Sequence, residues 1–212
     1  NKLKRYWPLV GGVAAANRID IRLNNGTFGG GWTHTTTGAK GNATNTFFNT
    51  ELAFQGEINF NWGFGYYGAE YTIGDWFGGI LDYSLATGAW WIRQITGPNT
   101  EYYNAGRGGT SSGTVTPNLS FIGARNTYGI GNDVSYRYNG NNTTFSGFGV
   151  PAGDTAVKLL FGNMRDNFGG LYGANDMEYR SMYITFGITV ADSGILQTID
   201  NAFQTALGRN TY

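Results

Sequence analysis

Polar and apolar residues alternate along much of this chain, and clusters of Gly, Asn and Asp interrupt the alternation at intervals of roughly ten residues. A period of two is the mark of an extended strand with one buried face, since successive side chains point to opposite sides. The clearest case is residues 57–64, where Ile58, Phe60, Trp62 and Phe64 alternate with Glu57, Asn59 and Asn61. A slip of one residue would turn all four large side chains into water, so the register should be strongly fixed. Further strands are expected over 47–54, 71–77, 80–84, 89–96, 119–122, 134–138, 143–148 and 156–161. In a last long one, 179–186, Arg180, Met182, Ile184 and Phe186 alternate with Tyr179, Ser181, Tyr183 and Thr185. Asn139-Gly140 takes positive φ readily and joins two of these runs as a hairpin. Asn141-Asn142 suggest a loop longer than two residues there. Many short strands at this spacing predict an all-β sandwich, a jelly roll.

One segment changes period. Thr189 can cap a helix, with Asp192 three residues later in the capping-box position. Ile195, Leu196, Ile199, Ala202, Phe203 and Ala206 then recur at three- and four-residue spacing, the stripe expected of one short C-terminal helix lying on a sheet. Gly208 is placed to end it, and Arg209 would suit the negative end of its dipole.

Composition agrees with the pattern. Glycine reaches 35 of 212 residues and aromatics 16%, a mixture suited to tight turns and half-buried pleated surfaces. No linker or compositional shift divides the chain, so a single domain over 1–212 is expected. Only 13% of residues are charged and the formal net charge is zero, which removes the basic stripe of a nucleic-acid binder. Lys2, Lys4 and Arg5 read as a solvated terminus. No run approaches the roughly 20 apolar residues of a spanning helix, so no membrane insertion is expected. With no cysteine and one histidine, a transition-metal site is not expected.

Several blocks, in order, resemble a family of phage and bacterial proteins with the concanavalin A-like (laminin G-like) jelly-roll fold. They are Lys2-Leu3-Lys4-Arg5-Tyr6-Trp7-Pro8-Leu9-Val10-Gly11-Gly12, then Phe28-Gly29-Gly30-Gly31-Trp32-Thr33-His34, Thr37-Gly38-Ala39 and Gly41-Asn42-Ala43-Thr44-Asn45. Gly123-Ala124-Arg125-Asn126, Tyr136-Arg137-Tyr138-Asn139-Gly140 and Ala202-Phe203-Gln204-Thr205-Ala206-Leu207-Gly208-Arg209 complete the set. Residues 62–98 match no block. The resemblance implies a virion component, a tail fibre, spike or decoration protein, on the surface of an extracellular particle. It also implies an assembly region upstream, so that this chain is the C-terminal part of a longer one.

The fold also hosts glucanases, whose retaining members set carboxylates along one strand as Glu-x-Asp-x-(x)-Glu, one as nucleophile and one as acid. Asp176-Met177-Glu178 is the nearest pair here, and it lacks a third partner. Asp20, between Arg18 and Arg22, reads as part of an ordinary strand face. His34 has neighbouring threonines but no orienting acid, and reads as a structural residue of its turn. No catalytic residues are expected. No cofactor is expected either, although Asp166, Asn167, Asp176 and backbone oxygens are a set calcium would accept.

Glycan sites combine aromatic platforms with amide, carboxylate or backbone hydrogen bonds. That mixture occurs at Tyr66-Tyr67, Asp75-Trp76, Tyr102-Tyr103 and Asn126-Thr127-Tyr128, all expected in loops. The resulting expectation is a non-catalytic virion protein whose lectin-like domain binds host-surface glycans. Its partners would be other virion proteins and further copies of itself, a trimer being favoured. The alternatives are a purely structural decoration with aromatic assembly interfaces and, after it, a polysaccharide hydrolase.

Overall fold

A computed structural model of the chain describes residues 2–53, 62–69, 76–82, 88–94, 101–105, 123–130, 133–138, 141–145 and 157–209. Within them the chain runs β1 (Leu3–Trp7), α1 (Ala14–Asn17), β2 (Thr27–Gly29), β3 (Thr33–His34), β4 (Ala39–Lys40) and β5 (Phe47–Ala53). There follow β6 (Trp62–Ala69), β7 (Trp76–Asp82), β8 (Gly88–Gln94), β9 (Glu101–Ala105), β10 (Gly123–Ile130) and β11 (Asp133–Tyr138). β12 (Asn141–Phe145), β13 (Lys158–Phe161), β14 (Met164–Asp166), β15 (Glu178–Phe186) and α2 (Val190–Ala206) complete it.

The strands form two sheets. One has the order β12-β11-β10-β6-β15-β4-β3, with β1 sharing the outer edge of β15. The other runs β2-β5-β13-β7-β8-β9, with β14 parallel to β7. Aromatic rings join them. Trp7 of β1 meets Phe48 of β5 at 5.1 Å and Phe161 of β13 at 6.4 Å, both edge-on. Tyr179 of β15 reaches Phe161 at 6.5 Å and Tyr66 of β6 at 5.4 Å. All five side chains are fully buried, and rings of this size carry most of the apolar area a sandwich core removes from water. Trp32 closes one margin, donating its ring N–H to the carbonyls of Gly29 and Phe47 at 3.0 Å each. Gly162 lies so close, at φ +77, that an added Cβ would stand 3.1 Å from the Trp32 ring.

The strands expected at 47–54, 89–96, 134–138, 156–161 and 179–186 form within about two residues of those bounds. Of the clearest expected strand, 57–61 lie outside the described residues and Trp62–Phe64 open β6, while 71–75, 119–122 and 146–148 also lie outside them. Tyr138 stands opposite Asn141 and Arg137 opposite Asn142, so Asn141 and Asn142 belong to β12 and not to the longer loop expected. The supposed solvated terminus is a paired strand. Lys2 bonds Asp192 at 2.7 Å, Lys4 lies over Phe186, and Arg5 reaches Asp20 at 3.4 Å.

β15 departs most from its alternation, because both of its faces are buried. A register shift between Tyr179 and Ser181 turns Tyr179 into the intersheet core, while Tyr183 stacks on Tyr6 under α2. The helix has the predicted capping box at Thr189 and Asp192, and it ends at Gly208 with φ +66. Phe203 of the expected stripe packs inward, edge-on against Tyr6 at 6.3 Å, but the helix is turned so that polar residues take the centre of its buried face. Ser193, Gln197, Asp200 and Gln204 are buried, whereas Ile195 and Ile199 are 59% and 61% exposed. The reason is a polar network beneath it. Asp200 accepts hydrogen bonds from the Tyr6 hydroxyl at 2.7 Å, the Ser181 hydroxyl at 2.6 Å and the Gln204 amide at 3.1 Å. Arg209 does more than face a helix end. It is buried and donates to the carbonyls of Pro8, Leu9, Thr37 and Arg180, while Arg180 donates back to its carbonyl. Among the described residues no helix is long and apolar enough to cross a membrane.

Candidate functional site

The candidate site is a hairpin loop over 166–172 that the sequence builds from one carboxylate and two glycines. Asp166 ends β14, and its Oδ1 accepts the backbone N–H groups of Phe168 at 2.9 Å and Gly170 at 2.6 Å. Its Oδ2 accepts the Tyr172 hydroxyl at 2.8 Å. Backbone bonds from Asp166 N to Gly170 O and from Tyr172 N to Met164 O close the hairpin. Gly169 has φ +88, a conformation strained for other residues. A Cβ on Gly170 would sit 2.9 Å from Asp166 Oδ2, so only glycine lets the carboxylate fill the loop. Asn163 ties the base down, accepting from Met164 N and Tyr172 N and donating to Thr46 O. Burial acts to raise the Asp166 carboxyl, but the Tyr172 hydroxyl and the backbone donors outweigh it and hold it below its usual range.

This rigid frame displays apolar surface. Phe168 is 80% exposed at the tip, with Leu171 and Tyr172 partly exposed behind it. An exposed aromatic face of this kind can accept the C–H side of a sugar ring, with loop amides and carbonyls as hydrogen-bonding groups. A second loop is built on the same plan. Buried Asp20 accepts from Arg22 N and Asn24 N at 2.8 Å each, and the loop projects Ile21 and Leu23, the latter at φ +63. Asp20 thus shapes a turn rather than lying on a strand face.

The sequence-derived candidates fall elsewhere. Tyr66 and Tyr67 are fully buried in β6 and cannot be open platforms. Trp76 opens β7, Tyr102 and Tyr103 lie in β9, and Asn126 and Tyr128 lie in β10, so all of these are in strands rather than loops. Asp75 is outside the described residues. The register does bring three positions into one cross-strand row, with Trp76 opposite Arg93 and Arg93 opposite Tyr102. His34 is structural: its Nδ1 lies 3.1 Å from the Asn17 amide, Phe28 packs edge-on against its ring, and burial lowers its pKa. Glu178 binds Arg180 at 3.0 Å. Both oxygens of Asp166 are committed to protein donors, and among the described residues no three His, Cys, Asp or Glu side chains cluster to hold a metal. Phe168 carries no periodic signal in the sequence, because a single aromatic between Asp-Asn and Gly-Gly belongs to no alternating run. The usable signal was the Asx turn around it.

No protein-family model and no curated protein matches the chain. Solved structures do. A mutant of Trypanosoma rangeli sialidase with trans-sialidase activity superposes over 99% of this chain at a TM-score of 0.68 and 11% identity. The same organism's sialidase in complex with sialic acid gives 0.66 over 95%, also at 11% identity. The chain spans about a third of those proteins, 34% and 33%. Domain 4 of AbnA, a GH43 extracellular arabinanase from Geobacillus stearothermophilus, in complex with arabinotriose, matches 92% of this chain and 98% of its own length. Its TM-score is 0.58 and its identity 13%.

The fold is a jelly-roll β-sandwich. At these identities the likeness concerns the fold alone, but it overturns the expectation of a virion protein. These neighbours belong to sialidases and an arabinanase, and none of the three is a tail fibre, spike or decoration protein.

Proposed function

We propose that this chain is a non-catalytic carbohydrate-binding sandwich in which the 166–172 loop offers Phe168 as the platform for a sugar ring of an oligosaccharide. The observation that carries the reading is Phe168, 80% exposed, on a loop fixed by five hydrogen bonds to and from Asp166. A preformed loop loses little conformational entropy when the ligand arrives. The arabinanase domain supports the reading, because a domain of nearly the same extent was solved with arabinotriose.

Isothermal titration with arabinotriose, sialic acid and a panel of longer plant and bacterial oligosaccharides tests it. At least one ligand should bind, and Phe168→Ala should abolish measurable binding while leaving the unfolding midpoint unchanged. Ligand binding indifferent to Phe168→Ala would place the site elsewhere. Release of shorter sugars from any panel member would make the chain an enzyme and overturn the proposal.

A further inference from the structure

The outward face of α2 is the opposite of what a solvated helix normally shows. Taking about 100° per residue, Ala191, Ile195, Thr198, Ile199, Ala202 and Ala206 fall within an arc of about 100°. All six are exposed, and they lie diametrically across from buried Ser193, Gln197, Asp200 and Gln204. The helix has two charged residues, and neither is on this face: Asp192 is held by Lys2, and Asp200 is buried.

The spacing of the six positions is palindromic about the midpoint between Thr198 and Ile199. Turned end for end, Ala191 falls on Ala206, Ile195 on Ala202 and Thr198 on Ile199. Each larger side chain therefore meets a smaller one, the complementarity that lets two helices approach closely. An uncharged face meets its own copy without like-charge repulsion, and an antiparallel pair sets each helix N-terminus beside the other's C-terminus.

We infer that α2 is a two-fold, antiparallel interface between two copies of this chain. This is an isologous pairing, not the three-fold assembly suggested by the resemblance to fibre proteins. A helix face about 22 Å long falls short of the roughly 800 Å² per partner of standard stable complexes, so the dimer is a reversible one. It holds two copies of every surface loop together, so each weak ligand contact is used twice.

The absence of native cysteine makes the test clean. Ala191→Cys and Ala206→Cys chains are prepared separately and oxidised alone and mixed. The antiparallel pair predicts a disulfide-linked dimer from the mixture and little from either alone, because each position stands about 22 Å from its own copy. Linked dimers from each variant alone would mean a parallel pairing, and no linked dimer at all would mean no pairing; both overturn the inference. Sedimentation of unmodified protein should show a concentration-dependent dimer. Ile195→Lys should raise its dissociation constant by about tenfold or more with an unchanged unfolding midpoint. A monomer at every soluble concentration would also overturn it. None of these readouts depends on a sugar.

Discussion

Asp200 is the joint between α2 and the sheet, and replacing it by alanine tests that role quantitatively. The carboxylate accepts from Tyr6 Oη at 2.7 Å, Ser181 Oγ at 2.6 Å and Gln204 Nε2 at 3.1 Å, and no part of its residue is exposed. In Asp200→Ala each of these donors loses its acceptor where water has little access. A buried donor left unpaired costs about 1–3 kcal/mol, so three set a floor of about 3 kcal/mol. Asp200→Asn keeps an oxygen for two of the donors and removes a charge that burial disfavours, so it should cost about 1 kcal/mol. Urea unfolding followed by tryptophan fluorescence would measure both, with the slope checked for constancy. Alanine and asparagine variants of equal stability would refute the network as described, as would an alanine variant within about 1 kcal/mol of the parent.

The same residue carries a pH signature. Burial raises the Asp200 carboxyl above its usual value, and the hydrogen bonds from Ser181, Tyr6 and Gln204 pull only partly against it. A raised folded value favours the protonated form, so this stabilising contribution is full below the unfolded carboxylate pKa and is lost as pH rises through the folded one. Asp200→Asn should flatten that decline.

Asp192 works in the opposite direction. Its hydrogen bonds with Lys2 and Thr189 lower it from 3.8 to about 2, so its contribution is present above the unfolded value and lost as pH falls toward 2. Asp192→Asn should remove that part of the acid limb in thermal melts taken across this range, and an unchanged limb would contradict the assignment. Gly169→Ala places a Cβ on a residue with φ +88 and should destabilise the loop by about 1 kcal/mol. It should also weaken sugar binding, read by titration calorimetry; a variant that binds as the parent does would show that loop geometry is unimportant.

Some of this molecule can be read directly from its letters, and the reasons differ by element. β15 and the α2 capping box are local patterns, one a period of two and the other a spacing of three, so they needed no knowledge of the rest of the chain. The polar buried face of α2 was illegible because its cause is remote: Tyr6 and Asp200 are 194 positions apart. Apolar periodicity indicates that a helix is amphipathic but not which side a buried polar cluster will claim. β3 and β4 have two residues each, too few for any period to register. Tyr66 and Tyr67 read as loop residues because glycines surround them, yet those glycines belong to a central strand. At Gly68 a Cβ would stand 2.3 Å from Met177 Sδ, so the glycine there answers to close packing, not to a turn. The 166–172 loop was half legible. Asp166 stands out in the sequence as a carboxylate calcium would accept, but only the fold shows it closing a turn that leaves Phe168 outside.

Whether Phe168 is the sugar platform is read most directly by an NMR titration of the isotope-labelled protein with the oligosaccharide that binds best in the panel. The largest amide shifts should fall on 167–171, with the aromatic protons of Phe168 moving upfield or downfield in step with saturation. Saturable shifts confined to other residues, with Phe168 unmoved, would contradict that role.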